Sequence, residues 1–212
     1  PFVALSDAVR EKHGKQVMQN LLQIASRSDF GSPENRRCLN NPGEVGRLAH
    51  TLATDLERSL NANDGQLYLA FQPQCDHTAK RVAGVEALLR WDHPIYGPVA
   101  PPIIVALAED TNLIDRLGKF VLLEACKQRA AWHPTVPNDL VIAVNITPSQ
   151  LRNTNFAQMV LGTLHDLGLS PTQLELEITE SSILEPDART LDLLTRLRVL
   201  GVRLAIDDFG MG

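Results

Sequence analysis

The stretch Gln173-Leu174-Glu175-Leu176-Glu177-Ile178-Thr179 alternates strictly between aliphatic and polar residues. Residues two apart share a face of a β-strand, so Leu174, Leu176 and Ile178 line one side and Glu175, Glu177 and Thr179 the other. The same parity recurs upstream, where Ile142, Val144 and Ile146 oppose Val141, Ala143 and Asn145. It recurs again downstream, where Val202, Leu204 and Ile206 oppose Arg203, Ala205 and Asp207. Three strands with one purely aliphatic face each are built to lay that face against helices. The opposite faces then converge on a barrel interior or sheet crevice, with Asn145 and Asp207 at C-terminal strand ends, where parallel α/β folds place their sites.

Working outward, the spacing predicts helix at 45–60, strands at 67–74 and 81–91, helices at 102–110 and 117–132, a strand at 140–146, a helix at 155–167, a strand at 173–179, a helix at 187–200 and a strand at 202–207. Repeated strand-then-helix units need crossovers and imply a largely parallel sheet covered by helices. Upstream, residues 3–25 carry a mainly helical pattern with Ser6 as a cap, and the Ser-, Asn-, Pro-, Gly- and Arg-rich run Ser28 to Gly43 reads as a linker. The division is thus 1–43, a helical segment and linker without an assigned role, and 44–212, the main domain.

The bulk properties exclude several classes. A formal net charge of −5 over 212 residues argues against a general DNA- or RNA-binding surface, which needs clustered Lys and Arg. Cys38, Cys75 and Cys126 are odd in number and far apart, which suits a reducing cytoplasm better than a disulfide framework or zinc site. No stretch approaches the roughly 18 uninterrupted apolar residues of a membrane span, and no signal segment opens the chain. The expected setting is cytoplasmic, or the cytoplasmic part of a membrane-anchored protein, because a start at Pro1 and an end on Asp207-Asp208-Phe209-Gly210-Met211-Gly212 read as cut ends.

Glu86, Glu177, Glu180, Asp207 and Asp208 cannot all ionise at close quarters without positive charge between them, and few basic residues share their strand faces. A divalent metal resolves this, and oxygen donors including an Asn carbonyl suit Mg²⁺ or Mn²⁺ rather than zinc. Consecutive Asp207 and Asp208 at a strand end can bridge two ions at the roughly 3.5–4 Å spacing of two-metal hydrolases. Each piece alone has a plainer reading: Asp207-Asp208 as a cap or turn, Glu175 as a partner of Arg203, Asn145 as a cap on the segment Thr147 to Leu151, and Arg90 as a surface cation. The six histidines show no ligand spacing.

The ordered set is more specific. Phe71-Gln72-Pro73, then Glu86-Ala87-Leu88-Leu89-Arg90-Trp91, Val144-Asn145-Ile146-Thr147-Pro148-Ser149-Gln150-Leu151, Glu175-Leu176-Glu177-Ile178-Thr179-Glu180-Ser181 and Asp207-Asp208-Phe209-Gly210 together resemble the EAL family of cyclic di-GMP phosphodiesterases over about residues 45 to 212. The resemblance implies an α/β fold, a modified TIM (β/α) barrel with one antiparallel strand, of which this chain holds strands 1–5 as an open, incomplete sheet. It implies that Glu86, Asn145, Glu177 and Asp207 ligate metal, that Asp208 binds a second metal, and that Glu180 steadies the loop after the fifth strand. Gln72 and Arg90 would contact the dinucleotide, Arg90 through a phosphate. The implied reaction is two-metal hydrolysis of cyclic di-GMP to linear pGpG with Mg²⁺ or Mn²⁺, in a protein that is a homodimer when complete.

The departures from the family pattern bear on regulation and completeness. Met211 stands where the family has Thr, in a loop that couples dimer contacts to metal binding, and Ile104-Val105 replaces a usual Phe-Ile pair. The family's later lysine, metal-binding glutamate and glutamine have no counterpart before Gly212, so the 212-residue chain by itself is expected to be inactive. The alternative within the family is a catalytically silent module that binds cyclic di-GMP or a protein partner as a receptor. Retention of Glu86, Asn145, Glu177, Asp207 and Asp208 favours the enzyme. A phosphosugar isomerase or aldolase is disfavoured, because no strand offers a Schiff-base lysine and no Gly-rich phosphate loop is present.

Overall fold

A computed structural model describes residues 42–62, 64–76, 81–132, 135–179 and 188–207. The helical reading of 3–25 and the linker reading of 28–41 lie outside these residues. The elements run α1 (Pro42–Ala62), β1 (Leu67–Asp76), β2 (Arg81–His93), β3 (Gly97–Val99), α2 (Pro101–Asp110), α3 (Ile114–Ala131), β4 (Val141–Ile146), α4 (Pro148–Leu151), α5 (Phe156–Asp166), a 3₁₀ turn (Pro171–Gln173), β5 (Leu174–Thr179), α6 (Ala188–Val199) and β6 (Arg203–Asp207). The chain divides into two compact units, one of residues 1–68 and 89–117, the other of 69–88 and 118–212.

In the first unit, α1 buries Leu52 and Leu56, and α2 buries Ile103, Ile104 and Leu107. Trp91, Val99, Leu113 and Leu117 complete this core, so the Ile104 departure is a change in buried packing. β3 is a sixth strand that the period-2 reading does not find. It is only three residues long, pairs antiparallel with the end of β2 through Trp91–Val99 and His93–Gly97, and contains Gly97 at φ +73°. Its anchor is the buried His93: Nδ1 accepts the backbone N–H groups of Ile95 and Tyr96, and Nε2 lies 3.0 Å from Asp55 Oδ2 on α1. A ring nitrogen that accepts two N–H groups carries no proton, so the proton sits on Nε2 and is donated to Asp55.

The second unit holds the parallel part of the sheet, in the order β1-β2-β4-β5-β6. β2, β4, β5 and β6 run parallel, with Val85 opposite Ile142, Val144 opposite Leu176 and Leu176 opposite Leu204. β1 runs against them. Only residues 77–80 separate it from β2, too few for a parallel crossover, and Gln74 near its end lies against Gly84 near the start of β2. Among the described residues the strand order does not close on itself, as expected for part of a barrel.

The aliphatic parity fixes which side the helices cover. Ile142, Val144, Ile146, Leu174, Leu176, Ile178 and Val202 form one core cluster with Leu122, Ala125 and Cys126 of α3, Phe156, Val160 and Leu164 of α5, and Leu193 and Leu197 of α6. Ile206, last on the aliphatic side of β6, is half exposed at the end of the described sheet. Two glycines turn helices back into strands. After α5, Gly168 at φ +67° lets Leu169 N–H reach the Leu164 carbonyl at 2.9 Å, and after α6, Gly201 at φ +100° lets Val202 N–H reach the Leu197 carbonyl at 3.0 Å. These are Schellman closures, whose left-handed residue suits glycine because it has no Cβ. Among the described residues no helix is long and apolar enough to cross a membrane.

Burial pushes the Cys126 thiol up from its ordinary value near 9 to about 12. The folded chain thus keeps this proton to higher pH than the unfolded chain does, so the associated stability is intact below about pH 9 and is lost as pH rises toward 12. Urea titrations across that window should show stability falling by at most about 1.4 kcal/mol per pH unit more steeply in the parent than in Cys126→Ala. Equal slopes would show that the thiol is not protected by the fold.

Candidate active site

Adjacent parallel strands bring three of the sequence-predicted residues together. Glu86 on β2 sits opposite Ala143, and Asn145, two residues further along β4, sits opposite Glu177 of β5. Asn145 Nδ2 donates to Glu86 Oε1 at 2.8 Å. Carboxylates only accept, so the amide must turn its NH₂ toward Glu86, which leaves Asn145 Oδ1 as a further oxygen donor. Asn145 therefore does not cap the following helix. That role belongs to Thr147, whose hydroxyl accepts from Gln150 N–H while the Gln150 side chain accepts from Thr147 N–H.

Glu177 is 8% exposed, and its Oε1 accepts a 3.1 Å hydrogen bond from Gln74 Nε2 of β1. Gln74 was missed in the sequence. The parity of β1 could have found it, because Gln74 is two residues from Gln72 and so shares its face. The contact also reports on sheet shape. β1 and β5 are three strand positions apart, about 14 Å along a flat sheet, and side chains standing upright on such a sheet could not meet. The sheet must curl around the face that carries these residues.

The other predicted residues are placed as follows. Asp207 occupies the register position opposite Thr179, which puts its backbone about 12 Å from that of Asn145 by strand spacing and rise. The Asp207 side chain, Glu180, Asp208 and Met211 lie outside the described residues. Gln72 is exposed on β1, and Arg90 is half-buried on β2, with Nη1 donating to the Leu89 carbonyl at 2.8 Å. Glu175 and Arg203 are register partners, but among the described residues no ion pair joins them, and Arg203 is exposed.

The donors present are all oxygens: two carboxylates and an Asn carbonyl. This fits Mg²⁺, Mn²⁺ or Ca²⁺ and not a thiolate- or imidazole-preferring metal. Among the described residues no group of three or more His, Cys, Asp or Glu side chains is assembled. Glu86, Asn145 and Glu177 are thus the described portion of the ligand set read from the sequence.

Residues 53–212 match the EAL domain family. The chain belongs to that family. It is 38% identical over 172 residues to the bifunctional diguanylate cyclase/cyclic di-GMP phosphodiesterase MucR of Pseudomonas aeruginosa, covering 81% of this chain and 24% of MucR. A solved structure of the PaMucR phosphodiesterase in complex with c-di-GMP superposes with a TM-score of 0.69 at 38% identity, covering 74% of this chain and 65% of that one. A calcium/cyclic di-GMP complex of Klebsiella pneumoniae BlrP1 gives a TM-score of 0.57 at 28% identity, covering 69% of this chain and 36% of that one. The chain spans about a quarter or less of the length of several curated relatives, MucR among them, and about half of others.

In this EAL domain the strand that carries Asn145 is held in place by the cap that follows it. Gln150 is buried, and its amide fits only because Gly118 on α3 has no side chain: a Cβ there would meet Gln150 Nε2 at 1.8 Å. Gly118→Ala should therefore destabilise the domain by about 1–3 kcal/mol through overpacking. The double variant Gly118→Ala/Gln150→Ala should lose less than the sum of the two single losses. Chemical denaturation of the four proteins checks this, and strict additivity would remove the proposed contact.

Proposed function

We propose that this EAL domain, within the protein that contains it, hydrolyses cyclic di-GMP to linear pGpG with two divalent cations, Mg²⁺ or Mn²⁺. The observation that carries this reading is the convergence of Glu86, Asn145 and Glu177 from three adjacent parallel strands. It is supported by likeness to MucR and to its phosphodiesterase structure. Glu86, Asn145, Glu177 and Asp207 would hold the first ion, and Asp208 would complete the site for the second. When bound, the ions would lower the pKa of the attacking water and stabilise the charge that develops on the phosphate.

The chain's own residues do the positioning. Asn145 holds the Glu86 carboxylate through its NH₂, so one oxygen of that group is fixed before any cation arrives. Gln72, exposed on β1, and Arg90, on β2, would contact the dinucleotide, Arg90 through a phosphate, a reading supported by the family resemblance. Glu180 steadies the loop after β5. A cytoplasmic setting is consistent with a cyclic dinucleotide substrate, and family resemblance supports a homodimer in the complete protein. The same resemblance supports reading residues 44–212 as the N-terminal part of the catalytic domain.

The test is to incubate the full-length protein with cyclic di-GMP and Mn²⁺ or Mg²⁺ and to follow pGpG by chromatography. Glu86→Ala and Asp207→Ala should each lower turnover on the order of 100-fold or more with the fold intact. Ca²⁺ should inhibit, because its longer, looser coordination misplaces the water. Tight binding without hydrolysis by the unmodified protein would instead favour the receptor reading.

A further inference from the structure

Gln74 reaches Glu177 from across the curled sheet, and the way it does so involves a second residue. Its amide lies over β2 at Gly84, where an added Cβ would stand 2.9 Å from Gln74 Oε1 and 3.3 Å from the Val141 carbonyl. Gly84 is buried, and its φ does not require glycine. A Cβ at this position would crowd the Gln74 amide and the Val141 carbonyl, so the amide would have to shift from its place beside Glu177.

We infer that Gln74, seated over Gly84, is a positioning residue that orients the Glu177 carboxylate toward the cation site. This deepens the reading above and rests on Glu177 being a metal ligand. The chemistry explains why an amide suits this place. A buried carboxylate samples several rotamers unless one oxygen is held, and a held carboxylate loses less conformational freedom when it ligates. A Lys or Arg would hold it equally well but would neutralise the charge the cation needs. A glutamine NH₂ fixes Oε1 and leaves the carboxylate charge intact. Gln74 meets no reacting atom in this role, so its effect must appear through Glu177.

The discriminating measurement is Mn²⁺ affinity, by calorimetry or by the EPR signal of free Mn²⁺, on the full-length protein and its variants. Gln74→Leu should weaken Mn²⁺ binding about 10- to 100-fold, the usual range for loss of a group that hydrogen-bonds a metal ligand. Gln74→Asn, one methylene too short to reach, should behave in the same way and serves if the leucine variant folds poorly. Gly84→Ala should weaken binding by displacing the amide, and the double variant Gly84→Ala/Gln74→Leu should bind no worse than the weaker single variant. In steady-state assays at saturating Mn²⁺ the loss should shrink, with KM for cyclic di-GMP unchanged. Unaltered Mn²⁺ affinity in Gln74→Leu and Gln74→Asn, with Glu177→Ala strongly impaired, would overturn the inference and leave the functional reading standing. Unaltered affinity in Glu177→Ala would overturn both.

Discussion

The constraint on which the rest of this structure depends is the registration of β4, β5 and β6 by their aliphatic faces. A slip of one residue in any of these strands would move its whole aliphatic set from the helices to the opposite side. Leu174 and Leu176 are fully buried and Ile178 nearly so, and burying each such side chain is worth about 1.5–3 kcal/mol. A slipped register would forfeit several of these at once. The cost of a slip is what holds Asn145 opposite Glu177, and Asp207 in register with Thr179. The polar face is thus positioned by energy stored on the other side of the sheet.

The helices reinforce this from their ends. Leu169 and Val202 donate the Schellman hydrogen bonds that close α5 and α6, and the chain then enters the next strand within a few residues, through the 3₁₀ turn before β5 and directly before β6. Val202 is itself buried in the core. Helix termination, strand entry and core packing are therefore one local event, and there is little slack by which the strand could shift. At the other end of β4, Thr147 and Gln150 cap the short α4 immediately beyond Asn145. The residue proposed to ligate metal is bracketed by a registered strand before it and a capped turn after it.

Most of this was legible because it rests on periodicity. The aliphatic faces of β4, β5 and β6 carry an apolar residue at every second position, and within the described residues the predicted elements coincide with the observed ones to within about three residues at each boundary. What could not be read has specific causes. β3 has three residues, too short for a period, and is held by the side chain of a histidine whose partner Asp55 is 38 residues away. Glu175 and Arg203 are neighbours by register, yet opposition in register does not oblige an exposed arginine to pair. Thr147, not Asn145, became the cap because its backbone is extended at φ −85° and ψ 155°, as an N-cap requires, with proline following it. Gln74 was legible in parity but not in consequence, because its contact with Glu177 exists only once the sheet has curled.

That curl explains a pattern in the small residues. Along the register, Glu86 lies opposite Ala143 and Glu177 opposite Ala205, while Gly84 gives Gln74 its passage. Large side chains at these three positions would fill the concave face and leave the carboxylates no room to turn toward a common point. Each carboxylate has an alanine as one register neighbour and accepts a hydrogen bond from a neutral amide, Asn145 for Glu86 and Gln74 for Glu177. Neutral donors orient a carboxylate without cancelling its charge. Such a face is unfavourable to bury without a counter-charge. Two carboxylates turned toward one point repel each other, and that same charge attracts a divalent cation.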